Sequence, residues 1–213
     1  MQTLDYLVKK YNLDLTQKSP IEIPGVGRLD LLRWLKELDF KTGAEIGVDE
    51  GNYSKLICDT NPQLKLYAVD PWLKYDEYRE YIDQRHMDRV YDYCVKRMSN
   101  EIKEGRYVVI RKKSMDALAD IPDESLDWVY IDANHEGEYP YQDITEWAKK
   151  VRKGGIVSGH DFVRVRVLNF TIKDALEKYT KEHNIHPLFI LGWHARQKGV
   201  VRDRTRSWLF VKQ

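Results

Sequence analysis

Gly43-Ala44-Glu45-Ile46-Gly47-Val48-Asp49-Glu50-Gly51-Asn52-Tyr53-Ser54 decides how the rest of the chain is read. An apolar run, about Ala44–Val48, ends in a glycine turn, and a helix signal follows at Asn52. Gly47 and Gly51 allow backbone angles that side chains forbid and a close approach to a ligand. A helix opening near Asn52 points unsatisfied N–H groups at the turn. Strand, glycine turn and helix in that order make the nucleotide cradle of a doubly wound sheet, with the ligand at the carboxyl end of the first strand.

The spacing discriminates between cradles. The pattern is Glu-x-Gly-x-x-x-Gly, not the G-x-G-x-x-G of a dinucleotide site, and no Gly-Lys-Ser/Thr end of a P-loop occurs. Glu45 is a poor neighbour for pyrophosphate and a sensible one for a ligand carrying a cationic amine. The stretch resembles motif I of the class I S-adenosyl-L-methionine (SAM) methyltransferases. By itself, the turn also reads as a glycine loop with no ligand.

Working outward, a helix over Asn52–Thr60 stops at Asn61-Pro62. A second strand, Leu64–Val69, ends in Asp70-Pro71-Trp72. An acidic residue at a strand tip 19 positions past Gly51 can accept hydrogen bonds from both hydroxyls of a ribose. Its bland alternative is a loop cap. Trp72, next to Asp70, is a candidate ligand neighbour. Residues 72–104 exceed what a crossover needs, and Tyr75, Tyr78 and Tyr81 share a helical face. They read as a half-buried amphipathic helix or as a lid over an acceptor site.

The third strand, about Tyr107–Arg111, is followed by Ser114 and Met115, read as a helix cap and a core residue or as ligand contacts. The fourth, Leu126–Ile131, ends in Asp132-Ala133-Asn134-His135-Glu136. A helix from Pro140 places Tyr141, Ile144, Trp147, Ala148 and Val151 on one face, and Gly154-Gly155 is its expected stop. The fifth strand, Ile156–Gly159, ends in His160-Asp161-Phe162. A helix around Val167–His183 leads to strands at Leu188–Gly192 and Trp208–Lys212, expected as an antiparallel hairpin. Ahead of the cradle, residues 1–42 read as an N-terminal helical cap, with Asp30 a candidate N-cap and Leu31, Leu32, Leu35 and Leu38 at helical spacing.

The expected fold is therefore α/β: a doubly wound, Rossmann-like, seven-stranded and mostly parallel sheet. One antiparallel strand lies in a C-terminal hairpin, helices cover both faces, and residues 1–213 make a single domain. Net charge is +1, so composition offers no general attraction to nucleic acid or an anionic membrane. No apolar run is long enough to span a bilayer, and a cytoplasmic protein is expected. Two cysteines, Cys58 and Cys94, in separate expected helices read as free thiols.

Asp132 and Asp161 sit at the tips of two strands expected to be neighbours, facing the crevice of Gly47 and Asp70. His135 follows Asp132 by three residues, and His160 precedes Asp161. Carboxylates with imidazoles can hold a divalent ion that orients acceptor oxygens and lowers a hydroxyl pKa. His135 can take a proton near neutral pH. The plainer alternative is a set of caps and satisfied surface histidines.

Tyr130-Ile131-Asp132-Ala133-Asn134-His135-Glu136, with Gly154-Gly155-Ile156-Val157-Ser158-Gly159-His160-Asp161-Phe162, resembles the small "family 24" class I methyltransferases. These are similar to the metal-dependent catechol and caffeoyl-CoA O-methyltransferases and to macrolide sugar O-methyltransferases. The likeness spans roughly residues 43–162. It implies that Glu45, Gly47 and Gly51 cradle the methionine end of SAM, that Asp70 holds the ribose, and that Ser114 and Met115 touch the adenine. Asp132 and Asp161 would be metal ligands (Mg2+ or another divalent cation), with His135 at the position of the base. Asp132 then borders cofactor, metal and acceptor at once. The catechol-type enzymes follow their second metal Asp with Asn, where this chain has Phe162; a third ligand would come from His135 or His160. A His in place of the catechol-type Lys favours a sugar-like or aliphatic hydroxyl.

The expected activity is SAM-dependent O-methylation of a small-molecule hydroxyl, of a sugar or a phenol. The expected partner is the small-molecule acceptor rather than nucleic acid or a membrane, and a homo-oligomer is left open. Arg164, Arg166, Arg196, Lys198, Arg202, Arg204 and Arg206 would favour an anionic acceptor if their loops rim the pocket. The alternatives are a SAM- or sugar-binding module without turnover, and a nicotinamide-dependent oxidoreductase.

Overall fold

In the computed structural model, which describes residues 2–74, 83–163, 171–193 and 205–213, the chain runs as alternating helices and strands. The first third holds α1 (Thr3–Tyr11), β1 (Ile21–Ile23), α2 (Arg28–Glu37), β2 (Thr42–Ile46), α3 (Asn52–Thr60) and β3 (Lys65–Val69). The middle holds α4 (Gln84–Arg97), α5 (Ser99–Lys103), β4 (Tyr107–Ile110), α6 (Ser114–Ala117) and β5 (Leu126–Ile131). The last third holds α7 (Tyr139–Lys150), β6 (Val151–Gly159), α8 (Ile172–Glu182), β7 (Phe189–Leu191) and β8 (Trp208–Val211). No helix among the described residues is long and apolar enough to cross a membrane.

The eight strands form one sheet in the order β1-β7-β8-β6-β5-β2-β3-β4. β8 runs antiparallel to β6 and β7, and the other pairings are parallel. A parallel sheet is buried on both faces, so its strands read as continuous apolar runs. β5 shows the consequence: Trp128 and Tyr130 enter the core with Leu31, Trp34, Ile57 and Cys94, while Val129 and Ile131 enter the opposite one with Ile144, Trp147 and Leu176. Both cysteines are free and buried.

The sheet has one strand more than the sequence led us to expect. Ile21-Glu22-Ile23 pairs in register with Phe189, Ile190 and Leu191 and extends the sheet past β7. β6 also begins earlier, at Val151, so Gly154 and Gly155 bend a strand rather than end a helix. A Cβ on Gly155 would stand 2.6 Å from the Asp127 carbonyl, where the register against β5 shifts. Asp30 does not head α2. The helix starts at Arg28, and Asp30 reaches back to accept from Gly27 N at 2.9 Å.

The expected lid over residues 72–104 falls partly on 75–82, with Tyr75, Tyr78 and Tyr81, outside the described residues. Its described part includes α4, which buries Met87, Val90 and Cys94. Arg164, Arg166, Arg196, Lys198, Arg202 and Arg204 also lie outside the described residues, and Arg206 pairs with Glu22 at 2.8 Å.

Candidate active site

The chain goes from β2 to β3 to β4 on one side and then crosses back to place β5 on the other flank of β2. That reversal opens a crevice at the carboxyl ends of the strands, where ligands bind in sheets of this kind. A cavity of about 660 Å³ lies there, lined from the tips of β2, β3, β4 and β5, from α7 and from Arg28. Its floor is tightly built. Asp132 N donates to Ile46 O at 2.7 Å, and Gly47 has φ +86. A Cβ on Gly47 would lie 2.1 Å from the Asp132 carbonyl oxygen, so only glycine fits.

Glu45 lines the cavity and is 2% exposed; it accepts a hydrogen bond from Ser54 on α3. Burial pushes its carboxyl up to about 8 against the Ser54 bond, with Asp132 and Asp70 adding to the rise. Asp70 also lines the cavity, almost fully buried. Its Oδ2 accepts from Val48 N at 2.9 Å and Asp49 N at 3.1 Å, and its Oδ1 from Trp72 N at 2.8 Å. Burial raises its pKa while those three bonds oppose the rise. Asp70 thus fixes the glycine turn as well as facing the cavity, so the loop-cap reading describes part of its work.

Two expected contacts are elsewhere. Trp72 does not line the cavity: its ring is fully buried against Tyr91, centroids 5.1 Å apart, and Nε1 donates to Asp49 O at 3.0 Å. It is a strut beneath the turn. Gly51 is also outside the lining; with φ +72 it opens α3, and a Cβ there would meet Cys94 Sγ at 2.9 Å. Its smallness serves the packing of α4.

Ser114 and Met115, at the tip of β4, line the cavity. The Ser114 hydroxyl is already engaged: it donates to Asp143 and accepts from Trp147 Nε1 at 2.7 Å. Asp143 was not singled out from the sequence. Buried on α7 and lining the cavity, it has its carboxyl pushed up to about 7 by burial, against the Ser114 bond and the charge of His135. The available signal was a carboxylate four residues before the buried Trp147, hence on the apolar face of its helix. Arg28, also missed, enters from the start of α2, with nothing in its local sequence to mark it.

Asp132 and His135 also line this cavity, and His135 Nε2 stands 3.4 Å from Asp132 Oδ1 and 3.1 Å from Asp161 Oδ2, a residue outside the lining. His160 Nδ1 is 3.4 Å from Asp161 Oδ1 and 4.0 Å from Asp132 Oδ2. Burial alone would raise Asp161, but hydrogen bonds with His160 and Thr205 and the charges of both histidines hold it at about 2. Burial pulls His160 down, and the Asp161 bond and the charges of Asp132 and Asp161 outweigh it, so its pKa is raised. Asp132, His135 and Asp161 each offer a ligand atom, all within 4.8 Å of one another. Two carboxylates and an imidazole fit a divalent ion of hard or borderline character. His160 stands behind them with Nε2 buried and unbonded among the described residues, and Phe162 N donates to Arg206 O at 3.1 Å.

The methyltransferase-domain family matches residues 44–162, more than half of the chain, so the chain belongs to that family. It is a class I SAM-dependent methyltransferase. No curated protein matches it by sequence. Among solved structures, it is similar to an O-methyltransferase from Bacillus cereus in complex with S-adenosylhomocysteine (SAH). Identity is 15%, 100% of this chain and 91% of the other are covered, and the TM-score is 0.59. It is similar as well to the O-methyltransferase TomG from Streptomyces achromogenes, involved in tomaymycin synthesis and solved with SAM. Here identity is 13%, with 100% and 91% covered and a TM-score of 0.59. At such identities, the likeness is one of fold. The antiparallel β8 between β6 and β7 and the helices on both faces agree with the architecture expected from the sequence.

Proposed function

We propose that the chain methylates an oxygen of a small-molecule acceptor, with His135 as the base. The observation that carries this is the imidazole of His135 lodged between the carboxylates of Asp132 and Asp161, beside the cradle. SAM would lie with its amine at Glu45, its backbone against Gly47 and its ribose at Asp70. An acceptor hydroxyl near His135 gives up its proton to the imidazole as its oxygen attacks the methyl carbon. The carbon–sulfur bond breaks, its electron pair stays on sulfur, and SAH leaves neutral at that atom. The two aspartates stabilise the imidazolium, and positioning supplies much of the remaining acceleration.

Asp132, Asp161 and His135 are the residues that would hold a divalent cation. Bound there, it would supply Lewis acidity toward the acceptor oxygen. His135 cannot ligate through Nε2 and accept a proton on that atom at once, so chelation separates the two readings. With His135 as base, turnover survives exhaustive EDTA treatment; with His135 as ligand, it is lost and returns with Mg2+ or Mn2+. A sugar or aliphatic hydroxyl is the favoured acceptor, because His135 stands at the base position where the catechol-type enzymes carry Lys.

The test is calorimetric titration with SAH, followed by a labelled methyl-transfer screen over sugars and phenols. Micromolar SAH binding with label on an acceptor oxygen supports the proposal. Absent SAH binding removes it, and label on nitrogen or carbon removes the O-acceptor. His135→Ala should leave SAH affinity within about 3-fold while lowering kcat about 100-fold or more, the usual scale of a general base.

A further inference from the structure

We infer that the methyl acceptor carries an anionic group, a carboxylate or a phosphate, held by the Arg28 guanidinium at the reaction end of the cavity. The inference rests on the methyl-transfer reading above and goes beyond it by naming the charge of the acceptor and the residue that selects it. In the sequence, the arginines of the last loops raise that expectation. The described one, Arg206, pairs instead with Glu22 at 2.8 Å and is absent from the cavity lining. Arg28, from the start of α2, is in it.

Among the described residues, two side chains of permanent positive charge line the cavity, Arg28 and Lys113. They belong to different ends of it. Lys113 lies between β4 and α6, on the far side of β3. The charge of Arg28 is felt at Glu45, near the end of β2, and at His160, just past β6. β5 runs between those two strands and carries Asp132 at its tip. Arg28 is thus the cation of the strand tips that bear His135 and the two aspartates. Its position is built: Arg28 O accepts from Tyr53 Oη at 3.1 Å, and the guanidinium lies over the Tyr53 ring, 5.2 Å from its centroid. That ring packs in turn on Tyr130 of β5, centroids 4.7 Å apart. A guanidinium stacked by its face keeps its N–H edge for ligands, and that planar fork matches carboxylate or phosphate oxygens in pairs.

The surrounding charges give the cation its purpose. Asp132 and Asp161 would repel an anionic acceptor brought to His135, and a fixed positive charge nearby offsets that repulsion. Filling the cavity with a neutral acceptor would desolvate the guanidinium and return it no charge, which costs free energy. The cofactor's own carboxylate has other donors. The first turn of α3, with no side-chain cap, offers backbone N–H groups at the cradle.

The experiment measures, by calorimetry on the SAH-saturated full chain, the binding of matched neutral and anionic compounds on two skeletons. One set is D-glucose, D-glucuronate and D-glucose 6-phosphate; the other is glycerol, glycerate and glycerol 3-phosphate. The expected result is that, in at least one set, an anion binds about 10-fold or more tighter than its neutral parent, the scale of a charge-assisted fork. The tighter anion identifies the group as carboxylate or phosphate. Arg28→Gln should bring that preference to within about 3-fold while keeping SAH affinity within about 3-fold. Arg28→Lys should keep only part of it, because the charge remains and the fork is lost. Arg33→Gln, on the same helix but in an exposed pair with Asp30, should keep it in full. No preference in the unaltered protein, absent binding of all six compounds included, overturns the inference. So does a preference that survives Arg28→Gln or vanishes in Arg33→Gln. A loss of SAH affinity of about 10-fold or more in Arg28→Gln assigns the arginine to the cofactor and overturns it as well. In each of those cases SAH still binds the unaltered protein and the methyl-transfer reading stands; absent SAH binding there removes both.

Discussion

Glu45 and Asp143 show how a ligand site is held ready at the level of single residues. Both carboxyls are raised by burial, to about 8 and about 7, above their ordinary values. The folded state therefore binds more protons than the unfolded one between those values, and stability falls as pH rises through that range. His160, also raised, acts in the same direction, contributing below its ordinary value and losing that contribution on the alkaline side. Asp161, held at about 2, acts oppositely, contributing above its ordinary value and losing it only as the solution becomes strongly acidic. Ligand-free protein should accordingly melt at progressively lower temperature between about pH 5 and pH 8, and Glu45→Gln should flatten the slope; an unchanged slope would count against the buried neutral acid. Binding reverses the demand. In the proposed complex the SAM amine would favour an ionised Glu45, so titration with SAH near pH 7 should release close to one proton. That is read from the dependence of binding heat on buffer ionisation, and Glu45→Gln should abolish it. Glu45 was legible because it belongs to a local pattern. Asp143 was not, because its partner Ser114 lies 29 residues away on another element. The side of the turn that Trp72 takes was not legible for a related reason: adjacency to Asp70 in sequence does not say which way a ring turns, and this one is buried outside the cavity lining.

The two glycines of the cradle separate at the scale of elements. At Gly47 a methyl group would collide with the backbone of the β5 tip, which cannot retreat without opening the sheet. At Gly51 it would press on the Cys94 sulfur, a side-chain atom on α4. Gly47→Ala should fail to give folded protein that binds SAH. Gly51→Ala should fold with a loss of about 1–3 kcal/mol, the scale of strained or overpacked sites. Adding Cys94→Ala should recover part of that loss in a denaturant double-mutant cycle, and strict additivity would deny the contact. The elements legible to the residue were α3 and β5, one with clear start and stop signals and one with an uninterrupted apolar run. β1 was illegible because three residues between Pro20 and Pro24 carry no period, and its partner β7 lies at the far end of the sequence. β6 was shortened because Gly154-Gly155 has the composition of a helix stop, while Gly154 N in fact donates to Lys212 O at 2.8 Å.

For the whole molecule, SAH should act as a folding ligand. At a hundred times its Kd, it should stabilise the native state by about 2.7 kcal/mol. For a chain of this size, that is a rise in Tm of about 5–10 °C, readable by dye fluorescence. NADH at the same concentration should give none; a shift with NADH alone would favour the oxidoreductase alternative. The sheet order carries a consequence in time. Among β2, β3, β4 and β5 the most distant pairing, Gly43 with Trp128, spans 85 positions, whereas β1 meets β7 across 168, and β7 joins the rest of the sheet only through β8. Nearby pairings form fast and distant ones slowly, because closing a longer loop costs more chain entropy. The nucleoside cradle should therefore assemble first. The β1 edge should settle last, so that in pulsed hydrogen exchange the amides of Gly47 and Asp132 gain protection before those of Gly192 and Ile21, which bond Ile23 O and Leu188 O across the β1–β7 seam. A refolding chain would then have its cradle closed before the far edge of its sheet has docked.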